Sequence, residues 1–396
     1  MVGVATLATF AVASLASLFM AWAIGAGSSG STPFAPAVGA NAISVMRAGF
    51  VVGLLGLSGA ILQGANVTEA VGTALIQGVT LTATAATVGL LVAAALVALG
   101  VFAGYPIATA FTVTGAVVGV GLALGGDPAW AKYREIVALW VATPFVGGGI
   151  AYLTARTLRN DRVPEALAVP LLAGLVGALV ANIRFAVLGG DGGASIAATV
   201  GGTLDLPAPG GVPLGVVVVS LLVAVVVVLV QYREMVRDEA AGQRRFLLAL
   251  GGLVAFSAGG SQVGLAIGPL VPLLDQVAVP LIGLLIGGGL GLLAGSWTGA
   301  PRMIKALAQD YSALGPRRSI AAMIPAFAIA QTAVAFGIPV SFNEIIVSAI
   351  IGSGYAAGGS GVSREKMVKT VLAWIGSLLV SLAVSYGALS LVDAVL

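Results

Sequence analysis

The chain has no cysteine and no histidine. Without cysteine there is no disulfide and no thiolate chemistry. Without histidine the commonest zinc sites and the histidine proton relay are gone, so any proton coupling must use Asp or Glu. Charge is scarce too. Only 8% of the 396 residues are Asp, Glu, Lys or Arg, against about 25% in soluble domains. No soluble surface can be assembled from that supply, which excludes a soluble protein with a large core. The net charge is +3, and no basic cluster is dense enough to argue for nucleic acid. No metal constellation, nucleophile–base pair or nucleotide loop is visible, so an enzyme is the least supported class. No catalytic residue, metal ligand or cofactor is assigned.

What the chain does have is apolar length. Hydrophobic residues make up 59% of it, in runs of about 18 or more that recur from end to end. This predicts an all-α polytopic membrane protein in the cell membrane, with about ten to twelve transmembrane helices. Residues 1–24 lack a charged leader and read as the first span rather than a signal peptide. The basic residues fall in short segments between spans, the usual membrane-flanking pattern. Residues 233–245 are the most charged run and read as a solvated cytoplasmic loop. Residues 302–318 read as a second, basic one.

Two apolar regions carry unusual Gly/Ser content. Residues 255–269 read Ala-Phe-Ser-Ala-Gly-Gly-Ser-Gln-Val-Gly-Leu-Ala-Ile-Gly-Pro, and residues 25–31 read Gly-Ala-Gly-Ser-Ser-Gly-Ser. Broken helices in transporters look like this, because unwound backbone at membrane depth is tolerated only where protein or a wet cavity covers it. The chain also repeats itself. Residues 104–119 open on Gly-Tyr-Pro and 337–352 on Gly-Ile-Pro, an offset of 233. Gly25 and Gly259 differ by 234, as do Trp140 and Trp374. Features recurring at nearly one offset indicate a duplication. The expected organisation is a first transporter repeat at 1–158, central spans and a charged loop at 159–245, and a second repeat at 246–396. The repeats would be inverted, with broken or re-entrant helices meeting near the midplane.

These residues resemble the inorganic phosphate transporter (PiT) family. Residues 21–31 and 259–269 are similar to its duplicated motif Gly-Ala-Asn-Asp-x-Ala-Asn-Ala-x-Gly. Residues 104–111 and 337–344 are similar to its Gly-x-Pro-Val-Ser-Thr-Thr-His. The resemblance implies a secondary transporter of inorganic phosphate working by alternating access. The departures matter as much. Where the family has Asn-Asp, this chain has Gly27-Ser28 and Ser261-Gln262, so both motif aspartates are absent. In the second tetrad Asn343 and Glu344 stand in place of Thr and His. The family's aspartates are implied to bind the coupling cation, and a hard cation prefers carboxylate oxygen. Family-type sodium coupling is therefore weakened.

The anion side is better kept. Phosphate or sulfate can be held by helix N-terminal N–H groups with hydroxyl and amide donors. The candidates are Ser28, Ser29, Ser31, Thr109, Ser261, Gln262, Ser341 and Asn343, with Glu344 as the coupling group for a proton or cation. Each has a bland alternative, since Ser and Thr in spans often bond back to their own helix and small residues mediate helix packing. The competing classes are a sulfate or other oxyanion permease, a passive anion channel, and a non-transporting sensor. The expected partners are phosphate or sulfate, sodium or a proton, and the lipid bilayer. A homodimer is left open.

Overall fold

A computed structural model describes residues 3–189, 193–309, 311, 314–358 and 362–395. Asp191, in the polar stretch 189–211, lies outside the described residues. The first half runs α1 Val4–Ile24, α2 Ala35–Gly39, α3 Val45–Gln63, α4 Ala65–Thr73, α5 Ala83–Ala103, α6 Thr109–Ala123 and α7 Trp130–Leu158. The middle holds α8 Glu165–Ala181, α9 Ile196–Gly201 and α10 Leu214–Arg237. The second half runs α11 Glu239–Ile267, α12 Leu274–Val277, α13 Leu281–Thr298 and α14 Ala300–Gln309. It closes with α15 Pro316–Phe336, α16 Phe342–Tyr355 and α17 Arg364–Val395. Two short antiparallel pairings, Ile76–Gln77 with Asp127–Pro128 and Arg184–Phe185 with Ala194–Ser195, are the only β structure among the described residues.

Nine of the described helices are long and apolar enough to cross a membrane, and Thr109–Ala123 and Glu165–Ala181 are shorter apolar helices. That fits the ten to twelve expected. The lengths and order of α3 to α7 recur in α13 to α17, each pair of starts 233 to 236 residues apart.

Burial sorts the helices. The most apolar windows of the α11 span and of α15 are each 72% buried, that of α10 only 17%. An apolar helix left that open faces lipid, so α10 lies at the periphery and α11, α15, α6 and α16 form the centre. Small residues let the inner helices approach. Gly115 and Gly119 of α6 press on Ser381 and Ser385 of α17, where a Cβ would stand 2.3 and 2.2 Å from the serine oxygens. Gly352 of α16 lies against Gly148 of α7 in the same way. This is the small-residue packing that replaces a hydrophobic driving force inside a bilayer.

α5 and α15 stop alike. Each ends on a glycine with positive φ, Gly104 at 73° and Gly337 at 59°, followed two residues later by a proline. Glycine takes the left-handed cap without strain and proline cannot continue the helix.

Three expectations are corrected. Residues 255–269 are not broken at their Gly/Ser core. α11 stays helical to Ile267, and only Gly268–Leu273 tightens into a 3₁₀ turn. Its glycines serve close packing instead. A Cβ on Gly259 would meet the Gly56 carbonyl at 1.9 Å, and one on Gly264 the Thr68 nitrogen at 2.6 Å. The charged run 233–245 is not a loop but two helix ends joined at Asp238, tied by an Arg245–Glu234 ion pair. Most of 302–318 is likewise structured. α14 covers its first part and buries Met303, Ile304 and Leu307.

Candidate functional site

Where α1 ends, the backbone widens into a π-turn over Gly25–Ser29. A wide turn of this kind is rare and marks functional positions more often than chance. It presents Ser28 and Ser29 inward, directly across from α11. Ser28 Oγ donates to Gln262 Oε1 at 3.2 Å, and Thr109 Oγ1, at the first turn of α6, donates to the same oxygen at 2.8 Å. Thr109 Oγ1 also lies 3.4 Å from Ser28 Oγ. Gln262 Nε2 then donates to the Val340 carbonyl at 2.7 Å, which holds the glutamine against the second Gly-x-Pro turn. Asn343, at the start of α16, donates to the carbonyls of Gly27 at 2.9 Å and Ile107 at 2.7 Å. Each half of the chain thus contributes a helix N-terminus and a polar pair to one cluster.

The cluster is sealed. Ser28, Thr109, Ser261, Gln262 and Asn343 are all 0% exposed. It is also not internally satisfied. Ser29 Oγ, Ser261 Oγ and Asn343 Oδ1 are buried without a hydrogen-bond partner. Buried polar atoms are normally paired, and an orphan is costly, so three together mark a place built to receive something polar. The first N–H groups of α6 and α16 add to them, because a helix leaves its first turn of donors without intrahelical acceptors. The two positive helix ends meet here with no carboxylate between them.

Not every expected residue joins. Ser31 donates to the Ser28 carbonyl at 3.2 Å, a bond within its own turn. Ser341 caps α16, accepting from the Glu344 N–H at 3.4 Å. Both are buried beside the cluster but are spent on local backbone. Glu344 is 3% exposed and its Oε2 has no partner. It lines an apolar groove of about 770 Å³ beside Phe111, Trp140 and Trp374, rather than the Ser28–Gln262 contact.

Several residues went unseen in the sequence. Trp140 Nε1 donates to Pro339 O at 2.9 Å and Trp374 Nε1 to Pro106 O at 2.8 Å, so each half's tryptophan holds the other half's turn. Thr32 donates to the Ser28 carbonyl at 2.9 Å. Gln63 and Gln331 face each other from α3 and α15. The signal for the last two was there to read: an amide inside an apolar span is costly unless it has a task.

Comparison with known proteins agrees with this architecture. A model of the phosphate transporter family matches residues 7–385. A Thermococcus kodakarensis protein named "Putative phosphate permease" is 26% identical, the alignment covering 92% of this chain and 93% of the relative. The chloroplastic inorganic phosphate transporter 2-1 of Arabidopsis thaliana is 24% identical over 93% of this chain and 70% of its own length. A solved structure of a sodium-dependent phosphate transporter superposes with a TM-score of 0.81 at 22% identity, covering 98% of this chain and 100% of that one.

Proposed function

The chain belongs to the phosphate transporter family, and from that premise we propose that it carries inorganic phosphate across the cell membrane by alternating access. Phosphate transport is the family's activity, and the family is not an enzyme family. The anion is held without a charged side chain, by Ser28, Ser29, Thr109, Ser261, Gln262 and Asn343 and by the helix ends that carry them. The observation behind this is the sealed cluster with its orphaned Ser29, Ser261 and Asn343 atoms. Ser31 and Ser341 shape it through the backbone.

The two halves are read as inverted repeats. Lys366 Nζ, at the start of α17, lies 5.9 Å from the Tyr105 ring centroid just past the end of α5. It lies 5.3 Å from Tyr311, just before α15 begins. The end of α5 and the start of its counterpart α15 thus share a face, as inversion requires. A site closed to solvent within such a pair supports a carrier over a passive channel.

Coupling runs through Glu344, one residue from Asn343, rather than through a sodium ion on motif aspartates. The Ser28–Gln262 cluster offers oxygen dipoles but no carboxylate, the ligand that best offsets cation dehydration. Uptake of labelled phosphate and sulfate into proteoliposomes, with sodium and pH gradients set independently, tests the reading. Saturable phosphate uptake that follows the pH gradient, and flattens in Glu344→Gln, is expected. Sulfate moving in preference to phosphate would make the site a general oxyanion permease. Uptake driven steeply by sodium at constant pH would contradict the coupling.

A further inference from the structure

A cleft of about 750 Å³ opens above the sealed cluster, lined by Gln63, Asn66, Glu69, Asn182, Arg184 and Gln331 among others. Its floor is an amide pair. Gln63 Nε2 reaches Gln331 Oε1 at 3.3 Å, and Gln331 Nε2 reaches Gln63 Oε1 at 3.2 Å. Gln331 Nε2 also donates to Ser257 Oγ at 2.6 Å, and Gln63 Nε2 to the Arg184 carbonyl at 2.9 Å. Ser257 is four residues before Ser261 on α11, so the two hydroxyls lie on one face of the helix, about 6 Å apart along its axis. One helical turn separates the floor of the open cleft from an orphaned atom of the closed site.

The cleft's side of the membrane can be read from charge. Basic residues gather where α10 ends and α8, α11, α15 and α17 begin: Arg159, Arg162, Arg237, Arg244, Arg317 and Lys366 are among them. Lys132, Arg134 and Arg184 sit at the opposite face, where α7 begins and α8 has ended. Basic residues favour the cytoplasmic side, so the cleft opens outward. Arg184 is its one cation, and it forms no ion pair among the described residues, Glu69 included.

We propose that this cleft is the outer antechamber of the anion path. Arg184 draws an oxyanion into it, and the Gln63–Gln331–Ser257 bridge is the barrier that parts it from the Ser28–Gln262 site. The proposal rests on the oxyanion reading above. Passage through the bridge requires parting neutral side-chain hydrogen bonds, with no packed apolar layer to open.

The chain has no cysteine, so single cysteines can be placed in the otherwise native protein. Asn66→Cys reports the cleft and Ser261→Cys the site. Both are exposed to membrane-impermeant methanethiosulfonates, one anionic and one cationic, added from outside to cells expressing the protein. The expected result is rapid labelling of Asn66→Cys with a preference for the anionic reagent that Arg184→Gln abolishes. Ser261→Cys should be slow alone and at least about tenfold faster in Gln331→Ala. Gln63→Ala serves as the second bridge variant should Gln331→Ala not fold. An unchanged charge preference in Arg184→Gln, or an equal Ser261→Cys rate with and without the bridge, overturns the proposal. Labelling needs no transported substrate. A failure here therefore leaves the phosphate reading standing, and failure of phosphate uptake leaves the path testable.

Discussion

The two halves meet at the cluster with different chemistry at equivalent positions. Ser28 and Gln262 are 234 residues apart, and so are Thr109 and Asn343. The first half offers hydroxyls and the second offers amides. The first half widens its backbone into a π-turn to present Ser28, while the second keeps an unbroken helix through Gln262. A hydroxyl is short and must be brought to the centre by the backbone. An amide is longer and carries donor and acceptor together, so Gln262 accepts from both hydroxyls while donating to Val340 O. Asn343 uses its donors on the first half's carbonyls and keeps Oδ1 free. Duplication fixed the places, and substitution then divided the work between a presenting half and a bracing half.

The strongest way to break the comparison is at the shared packing. Gly259→Val should cost well over the roughly 1–3 kcal/mol typical of overpacking, because the Cβ alone would stand 1.9 Å from the Gly56 carbonyl. Loss of monodisperse protein in detergent is the expected outcome. Normal yield would mean that α3 and α11 are not in contact at Gly259.

A smaller effect tests whether the halves brace each other equally. Trp140→Phe and Trp374→Phe each remove one indole bond to the opposite Pro carbonyl, about 0.5–1.5 kcal/mol apiece, more if the carbonyl is left dry. Thermal unfolding should fall by similar amounts in the two variants. A loss in one alone would show that only one turn depends on its tryptophan.

The smallest effect is expected at Ser31→Ala. Its hydroxyl bonds only within its own turn, so stability should change by no more than about 0.5 kcal/mol and phosphate affinity should be nearly unchanged. A large drop in affinity would put Ser31 back among the anion's ligands.

Much of this was legible before any coordinates. The 234-residue offset located Trp140 and Trp374 and the two Gly-x-Pro turns, because a duplication keeps spacing even when side chains change. Ser28, Thr109, Gln262 and Asn343 were found through the motifs and do come together. The Gly/Ser run of α11 was misjudged as a break. Glycine both frees a backbone and lets two helices touch, and only the partner decides which. That partner, Gly56 on α3, is some 200 residues away in sequence, beyond any local pattern. Ser31 and Ser341 were overvalued for a related reason, since a serine that caps its own turn and one that faces a ligand have the same neighbours in the chain. The amide bridge of Gln63 and Gln331 depends on α3 and α15 lying side by side, which no single-segment pattern reports.

The central claim is that dipoles from both halves, and no carboxylate, hold the anion. The most direct test is phosphate uptake by the reconstituted double variant Ser261→Ala/Gln262→Ala, with Ser31→Ala as the control for handling. Removing the orphaned hydroxyl together with the acceptor of Ser28 and Thr109 should lower the apparent affinity for phosphate at least about tenfold, the equivalent of one or two lost hydrogen bonds. Uptake indistinguishable from the unmodified protein at limiting phosphate would contradict the account and move the anion site elsewhere.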